Sequence, residues 1–283
     1  MYNSFFEIDY PPFSISQDLN YLYLNKKLKE ILDGLRYACN TKEGIIKLTG
    51  DVGSGKTIIC KALANELKDN FLVINIHPAE IKSLNVLEVI DSKLLENNID
   101  SFLQKKIEIS KNTIKNRVLI IFDDYLKITE ENLNRIIYAN ENIKSTSLLT
   151  FLLISNNFEN KKIINVLKKI NDRVLYHFDM PKLSKDDTID YINHRLKMAG
   201  YKNNQVELFS KKICSLVHEK SNGLPRKINI LCDKCLISAF LNQRKFPSKQ
   251  DFQSAIKSTY IDTNNKSLFF KSYNFFFISI FFV

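Results

Sequence analysis

One eight-residue motif constrains the fold of this chain more than any other part of the sequence. It reads GDVGSGKT at residues 50–57 and follows the pattern G-x-x-x-x-G-K-[ST], between a predicted buried strand at 44–50 and a predicted helix at 56–67. Only 7 of the 283 residues are glycine, and three of them lie in this motif. Glycine lets successive backbone N–H groups turn onto phosphate oxygens, and the following helix adds the positive end of its dipole. The motif therefore predicts a loop that binds the phosphates of a nucleotide.

Two side chains of the motif have more specific expected roles. The Lys56 ammonium group is expected to reach the β- and γ-phosphates, and the Thr57 hydroxyl is expected to be a ligand of Mg²⁺. The predicted nucleotide-binding residues are Gly50, Asp51, Val52, Gly53, Ser54, Gly55, Lys56, Thr57 and Ile58.

A pair of acidic residues follows the buried run VLIIF at 118–122. A phosphate-binding loop needs a carboxylate at the end of a neighbouring strand to hold Mg²⁺, and Asp123 is at that position. Asp124 is where many ATPases carry a glutamate that polarises the attacking water. Because its side chain is one methylene shorter than that of glutamate, slow hydrolysis is one expectation. The alternative is that both acids only cap a loop.

The other hydrophobic runs predict the fold that carries the motif. Strands that are apolar almost throughout and alternate with helices are typical of a parallel sheet covered on both faces. From about residue 183 only helical patterns remain, and Ser184 with Asp187 predicts a capping box at their start. We therefore expect a doubly wound α/β layer followed by a small all-helical domain. Strands are predicted at 44–50, 71–76, 117–124, 148–155 and 174–178, and helices at 25–39, 56–67, 86–95, after Thr129, and at 185–198, 207–220, 226–242 and 249–258.

Composition excludes several classes of protein. With 45% apolar and 25% charged residues the chain can bury a core, and its few glycines and prolines exclude collagen-like and linker proteins. A net charge of +10 favours a polyanion, an acidic membrane surface or a phosphorylated ligand as partner. Five scattered cysteines and an opening without a signal peptide favour a reduced, cytoplasmic protein. The pair Cys232 and Cys235 is interpreted as buried thiols on a helix, not as a zinc site.

The most apolar stretch of the chain is its last segment, LFFKSYNFFFISIFFV at 268–283. Its uninterrupted part, residues 275–283, is shorter than the stretch of about 20 residues that a transmembrane helix needs. Three interpretations are open: a segment packed on the protein, an interfacial anchor with Lys266 and Lys271 facing anionic lipid, or a truncated spanning segment.

Three further polar positions become candidates beside a phosphate-binding loop. Asn156 follows the predicted strand at 148–155, where it could sense the γ-phosphate or orient water, or could simply be a turn residue. Arg173 precedes the last predicted strand and is a candidate arginine finger for a neighbouring subunit. Arg226, in the sequence GLPR at 223–226, is a candidate for contact with the nucleotide from the helical domain.

These segments together resemble the AAA+ ATPases of the general secretion pathway protein A group, which includes the short ATPase of MSHA pilus biogenesis. The resemblance covers roughly residues 1–258 and rests on MYNSFF, PPFSIS, LYL, TGDVGSGKT, LIIFDD, FDMPKLS, YINHRLKMAG and SNGLPRKINILCDKCLISAF. It implies a three-layer P-loop AAA+ domain with a parallel five-stranded sheet, a helical lid, ATP with Mg²⁺, and nucleotide sites shared between subunits of a homo-oligomer that forms with nucleotide. It assigns Lys56, Thr57 and Asp123 to the Walker positions, Asn156 to the first sensor, Arg173 to an arginine before the last core strand and Arg226 to the second sensor.

The resemblance also sets expectations for organisation. An N-terminal arm and helix is expected at 1–40, an α/β core at 41–182, a helical lid at 183–260 and the apolar tail at 261–283. The chain departs from the family at Asp124, where a glutamate is usual, and at Tyr125 and Leu126 beside it. It stops where longer members continue into a membrane helix, so a short form and a truncated gene are both open interpretations.

The expected function is ATP hydrolysis that supports assembly of a secretion or type IV pilus-like machine. The protein is expected in the cytoplasm, with association at the inner membrane and secretion or pilus assembly proteins as partners. One alternative is a DNA-associated AAA+ ATPase, which the charge of +10 favours and the dispersed basic residues disfavour. The other alternative is a nucleotide-binding switch with little hydrolysis.

Overall fold

The computed structural model describes residues 2–41, 44–81, 85–96, 117–142, 149–157, 164–202 and 207–264. The chain divides into two compact units. The α/β unit comprises residues 17–181, and the helical unit comprises residues up to 16 together with the described residues from 182 onwards. The apolar segment at 268–283 lies outside the described residues.

Ten α-helices and five strands make up the described part of the chain. The strands are β1 (Gly44–Thr49), β2 (Phe71–Ile76), β3 (Arg117–Phe122), β4 (Leu149–Ile154) and β5 (Val174–Asp179). The helices are α1 (Tyr2–Phe5), α2 (Lys26–Thr41), α3 (Lys56–Leu67), α4 (Val86–Glu96), α5 (Glu130–Asn142), α6 (Ile164–Asn171), α7 (Lys185–Met198), α8 (Lys211–Ser221), α9 (Pro225–Leu241) and α10 (Lys249–Asn264).

The five strands form one parallel sheet in the order β2-β3-β4-β1-β5, which confirms the predicted architecture. Alternate apolar side chains of the strands pack with those of α4, α5 and α6 in one buried cluster. Helices α2 and α3 contact each other and cover the other face, where α2 touches β5 and α3 touches β2. The carboxyl ends of β1, β3 and β4, the three central strands, therefore meet at one edge of the sheet.

The helical unit contains α1 and α7 to α10. Its first long helix, α7, begins with the predicted capping box, because Ser184 Oγ accepts from the Asp187 N–H and the Asp187 carboxylate accepts from the Ser184 N–H, each at 3.1 Å. Cys232 and Cys235 are buried residues of α9, which confirms their interpretation as thiols on a buried helix face. Among the described residues, no helix combines the length and the apolar character needed to cross a bilayer.

The N-terminal arm is held by one buried arginine of the helical unit. Arg195 is 3% exposed and donates to the carbonyl oxygens of Pro12 and Ser14, at 2.6 and 2.7 Å. Residues 2–16 therefore group with α7 to α10, whereas α2 belongs to the α/β unit. The expected N-terminal segment at 1–40 is thus divided near residue 16 in the structure.

Candidate functional site

The loop at 50–57 connects the end of β1 to the start of α3. Gly50, Gly53 and Gly55 all have positive φ, at 150°, 83° and 102°. A Cβ atom on Gly50 would lie 2.7 Å from the Cβ of Met180, a distance that real Cβ atoms do not adopt. Gly55 occupies the N-cap of α3, and no side chain caps this helix. The loop therefore presents an uncapped helix N-terminus, which favours an anion.

Lys56 is held inside this loop. Its side chain is buried, and Nζ donates to the carbonyl oxygens of Gly50 and Asp51 at 2.8 and 3.0 Å and to Oδ1 of Asn156 at 3.0 Å. These three acceptors match the three protons of an ammonium group. The contact with Asn156 joins the loop to the end of β4, so two of the predicted site residues lie together.

Burial and neighbouring carboxylates act on the Lys56 ammonium group in opposite directions. Burial lowers the pKa of the Lys56 ammonium group, because the charged form loses hydration. Four carboxylates partly oppose this shift, in decreasing order Asp124, Asp123, Asp51 and Asp179. A partly dehydrated ammonium group at a helix N-terminus is a favourable partner for phosphate oxygens.

Thr57 and Asp123 form the second part of the site. Thr57 Oγ1 donates to Oδ2 of Asp123 at 3.1 Å, and the Asp123 N–H donates to the Ile76 carbonyl at the end of β2, at 3.4 Å. Hydroxyl and carboxylate oxygens are ligands that Mg²⁺ uses in proteins. These two side chains therefore fit a magnesium ion beside the loop, where Lys56 would hold the phosphates.

Ser54 provides an independent indication that the loop fits a polar ligand. Its hydroxyl is buried, and it has no hydrogen-bond partner among the residues that the structure describes. A buried hydroxyl without a partner is unfavourable by about 1–3 kcal/mol. An oxygen of a bound phosphate would supply the missing acceptor.

Asp124 adopts a strained backbone conformation at the same edge of the sheet. Its φ and ψ are 53° and 43°, in the left-handed region, and it begins a short 3-10 turn at Tyr125–Lys127. Its Oδ2 lies 2.7 Å from Nζ of Lys127 in an ion pair. Sequence reasoning missed Lys127, although its spacing three residues after an acid was a usable signal for such a pair.

Arg173 lies outside this cluster of side chains, and Arg226 belongs to the helical unit. Arg173 donates from Nη1 to the carbonyl of Lys169 at 2.8 Å and precedes the first residue of β5. Since Val174 pairs with Ile45 near the start of β1, Arg173 lies at the opposite edge of the sheet from the loop at 50–57. Arg226 is exposed in the first turn of α9, in the helical unit.

A cleft of about 520 Å³ with both polar and apolar lining extends from Asn156 along α6, and the sequence did not indicate it. Its lining includes Thr49, whose Oγ1 lies 2.8 Å from both His177 Nε2 and Asp179 Oδ1. Partial burial lowers the pKa of His177, the charge of Lys47 lowers it further, and Asp179 opposes both. Because Thr49 directly precedes the loop, this hydrogen-bonded group supports the end of β1 next to Gly50.

The sheet order, the site and the helices that follow define an α/β AAA+ fold. Three solved structures show the same fold. Their sequence identities to this chain are 13–18%, so the similarity concerns the fold alone. The ORC2 protein of Aeropyrum pernix gives a TM-score of 0.60 with 13% identity, covering 88% of this chain and 71% of that one. Cdc6p of Pyrobaculum aerophilum gives 0.55 with 18% identity, covering 87% and 70%. The RuvB Holliday junction branch migration motor of Thermotoga maritima gives 0.56 with 14% identity, covering 82% and 67%.

Sequence comparison identifies the same class and a particular relative. Residues 39–164 match the family described as AAA domain. General secretion pathway protein A of Aeromonas hydrophila is 28% identical over 250 residues, covering 85% of this chain and 45% of that protein. Residues 39–164 therefore match an AAA domain, and the chain is a distant homologue of General secretion pathway protein A that spans less than half the length of that relative. The resemblance seen in the sequence is confirmed at this level.

Proposed function

We propose that the α/β unit binds ATP with Mg²⁺ and hydrolyses it to ADP and phosphate. The observation that carries this proposal is the position of the Lys56 ammonium group inside the loop at 50–57, where it donates to the carbonyl oxygens of Gly50 and Asp51. Three features of this loop favour the same ligand, a chain of phosphates. They are the buried ammonium group, the unpartnered Ser54 hydroxyl and the uncapped start of α3. The Thr57 and Asp123 oxygens supply the neighbouring metal ligands.

Each residue has a distinct part in this proposal. Lys56 exchanges its carbonyl partners for phosphate oxygens. Thr57 and Asp123 would hold the metal, which would supply positive charge to the phosphates. Asp124 orients the attacking water and accepts its proton. Asn156 exchanges its hydrogen bond with Lys56 for one with the terminal phosphate. The end of β4 therefore responds to bound nucleotide.

The proposal extends to assembly. The α/β unit is the ATPase core and the helical unit is its lid. Subunits form a ring or filament in which Arg173 reaches the nucleotide of a neighbour and Arg226 contacts nucleotide from the lid. The name of the homologous General secretion pathway protein A supports a role beside secretion or pilus assembly proteins. The site of action is then the cytoplasmic side of the inner membrane, with the apolar tail as a peripheral contact.

Turnover by the full chain tests the enzymatic part. We expect Mg²⁺-dependent release of phosphate from ATP, lost in Lys56→Ala by 10-fold or more, since about 1.5–3 kcal/mol is typical for hydrogen bonds to a charged group. Lys61→Ala is the matched control, because Lys61 is an exposed lysine on the same helix and its removal changes the net charge equally. Equal turnover in the two variants, or no ATP binding by the wild-type protein, would contradict the proposal.

Two further measurements separate the alternatives. Asp124→Glu adds the methylene that the usual glutamate has, and a large gain in rate would show that this position limits hydrolysis. Size-exclusion chromatography with and without ATP tests assembly. Tight ATP binding with no turnover in either form would favour a nucleotide switch.

The charge of +10 supports a second candidate, an ATPase that acts on DNA. Its test is the binding of duplex DNA at several salt concentrations. Affinity that falls steeply as salt rises, together with DNA-stimulated ATP turnover, would favour this candidate over a role in secretion. Turnover unaffected by DNA would oppose it.

A further inference from the structure

The ion pair between Lys127 and Asp124 has no part in the functions described so far. Lys127 Nζ lies 2.7 Å from Asp124 Oδ2, with 64% of the lysine side chain and 29% of the aspartate side chain exposed. The hydrogen bond and the charge of Asp124 raise the pKa of the Lys127 ammonium group above its ordinary value. The Lys127 ammonium group therefore pairs with the carboxylate that orients the attacking water in the proposed reaction.

The turn that carries this pair is fixed by contacts of other residues. Tyr125 is 1% exposed and its hydroxyl bonds to Ser155, and Ile128 is also buried. The Lys127 N–H donates to the Asp124 carbonyl at 2.9 Å, and the Ile128 N–H donates to the Tyr125 carbonyl at 3.0 Å. The backbone at 124 and 127 is therefore positioned without the ion pair, and removing the lysine head group leaves the fold of the turn intact.

The Asp124 carboxylate acts on two cations at once. It is in contact with Lys127, and it is the carboxylate with the largest electrostatic influence on Lys56. While Oδ2 of Asp124 accepts from the Lys127 ammonium group, that oxygen is less available to a water molecule beside the phosphate-binding loop. Pairing with Lys127 and orientation of the water therefore compete for the same oxygen.

We propose that Lys127 is an inhibitory positioning residue, which holds the Asp124 carboxylate on the turn so that the ion pair must open before ATP is hydrolysed. This inference rests on the proposed ATPase function. It makes the rate of hydrolysis, and not the binding of nucleotide, the quantity that Lys127 controls. A partner that draws the exposed lysine away from Asp124 would then activate the enzyme.

The expected effect follows from the exposure of the pair. Exposed ion pairs of this kind shift an equilibrium by about 1.4- to 5-fold. Lys127→Met, which keeps the length of the side chain without its charge, should raise kcat by that factor and leave KM for ATP unchanged. Lys127→Arg restores a cation and should restore the lower rate. Salt should raise the kcat of the wild-type protein towards that of Lys127→Met and have little effect on the variant itself.

Two controls isolate the ion pair from a general effect of charge. Lys202→Met removes one positive charge from an exposed pair with Asp9 in the helical unit, 3.4 Å between Nζ and Oδ1, and should not change kcat. In an Asp124→Asn background, Lys127→Met should have no effect on the residual rate, because its partner is absent. An equal gain in that background, or an unchanged or lower kcat in Lys127→Met alone, would overturn the inference.

A second readout needs no nucleotide. Carbon-13 NMR of lysine-labelled protein without ATP follows the titration of the Lys127 ammonium group through its ε-carbon. We expect a pKa above that of an ordinary lysine, and Asp124→Asn should return the pKa to the ordinary range. A Lys127 titration that does not respond to Asp124→Asn would show that the pair does not form, and would overturn the inference.

The two proposals fail in distinguishable ways. Turnover that depends on Lys56 but does not change in Lys127→Met overturns the role of Lys127 and leaves the ATPase proposal standing. Turnover that depends on Lys56 and rises by about 1.4- to 5-fold in Lys127→Met but not in Lys127→Arg supports both proposals. Absence of turnover in the wild-type protein and in Lys127→Met overturns the inhibitory role.

Discussion

Gly223 offers a sharp test of how the helical unit is built. It has a φ of 67°, and a Cβ atom on it would lie 2.2 Å from the carbonyl oxygen of Leu183. The obstacle is backbone, which cannot rotate away as a side chain would. The Gly223 carbonyl also accepts from the Leu183 N–H at 3.0 Å. Gly223→Ala must therefore displace the connection between α8 and α9, or the segment before α7, by about 1 Å to reach an ordinary C···O separation.

The cost of Gly223→Ala combines three effects. An L-residue in the left-handed region costs about 1–2 kcal/mol, the lost hydrogen bond about 0.5–1.5 kcal/mol, and the forced shift of packed backbone about 1–3 kcal/mol. We expect a loss of about 3–6 kcal/mol in the free energy of unfolding of the helical unit. Asn222 is the matched control, because it also has positive φ, at 53°, but is exposed. Asn222→Ala should cost about 1 kcal/mol.

Urea unfolding followed by circular dichroism measures the difference between the two variants. The loss of stability should be confined to the helical unit, because Gly223 and Leu183 both belong to it. If Gly223→Ala destabilised the protein no more than Asn222→Ala, the close approach to Leu183 would not constrain this turn, and the reasoning would be refuted.

Three further predictions concern the site, acid stability and the thiols. Thr57→Val removes the hydroxyl that donates to Asp123 and should lower Mg²⁺-dependent turnover by about 10- to 100-fold, whereas Thr57→Ser should retain it; equal rates would contradict the magnesium role. Burial alone would raise the pKa of Asp251, but hydrogen bonds, including that from Arg244, outweigh it and lower the pKa, so Asp251→Asn should cost about 1–3 kcal/mol at pH 7. That difference should persist above pH 4 and disappear as the pH falls through the lowered pKa of the folded state, and a difference independent of pH would contradict it. Burial raises the pKa of all five thiols, to about 12 for three of them, so a thiol reagent at pH 8 should label the native protein at least about 100-fold more slowly than the unfolded chain; rapid native labelling would contradict their burial.

Local sequence signals were sufficient for the sheet and for part of the site. The run at 118–122 is continuous and apolar because both faces of β3 are covered, as the central position of this strand in the sheet requires. Lys56 and Thr57 come together with Asp123 because β1 and β3, which flank β4, are parallel and end at one edge of the sheet. The motif and the acidic pair after a buried strand predicted this proximity, whereas the roles of these residues in catalysis stay predictions.

Contacts between residues distant in sequence were not predictable in the same way. The grouping of residues 2–16 with the helical unit depends on several such contacts, among them the hydrogen bonds from Arg195 to Pro12 and Ser14 and the ring contact between Phe13 and Phe209. The cleft beside Asn156 depends on how α6 lies over β1 and β5, and no residue pattern specifies that angle. The ion pair of Lys127 depends on a 3-10 turn. This turn is only three residues long, so it produces no hydrophobic periodicity in the sequence that could predict it.

The backbone at Asp124 connects these observations to function. Six of the seven glycines have positive φ, so this chain uses its scarce glycines mainly where the backbone needs them. Asp124 has the same left-handed geometry without being glycine, at the end of β3 and directly after Asp123. Glycine there would adopt these angles without strain, and aspartate adopts them at some cost. The carboxylate must contribute something that offsets the strain, and an exposed ion pair with Lys127 contributes too little to do so alone. The proposed use of the Asp124 carboxylate in hydrolysis would account for the difference.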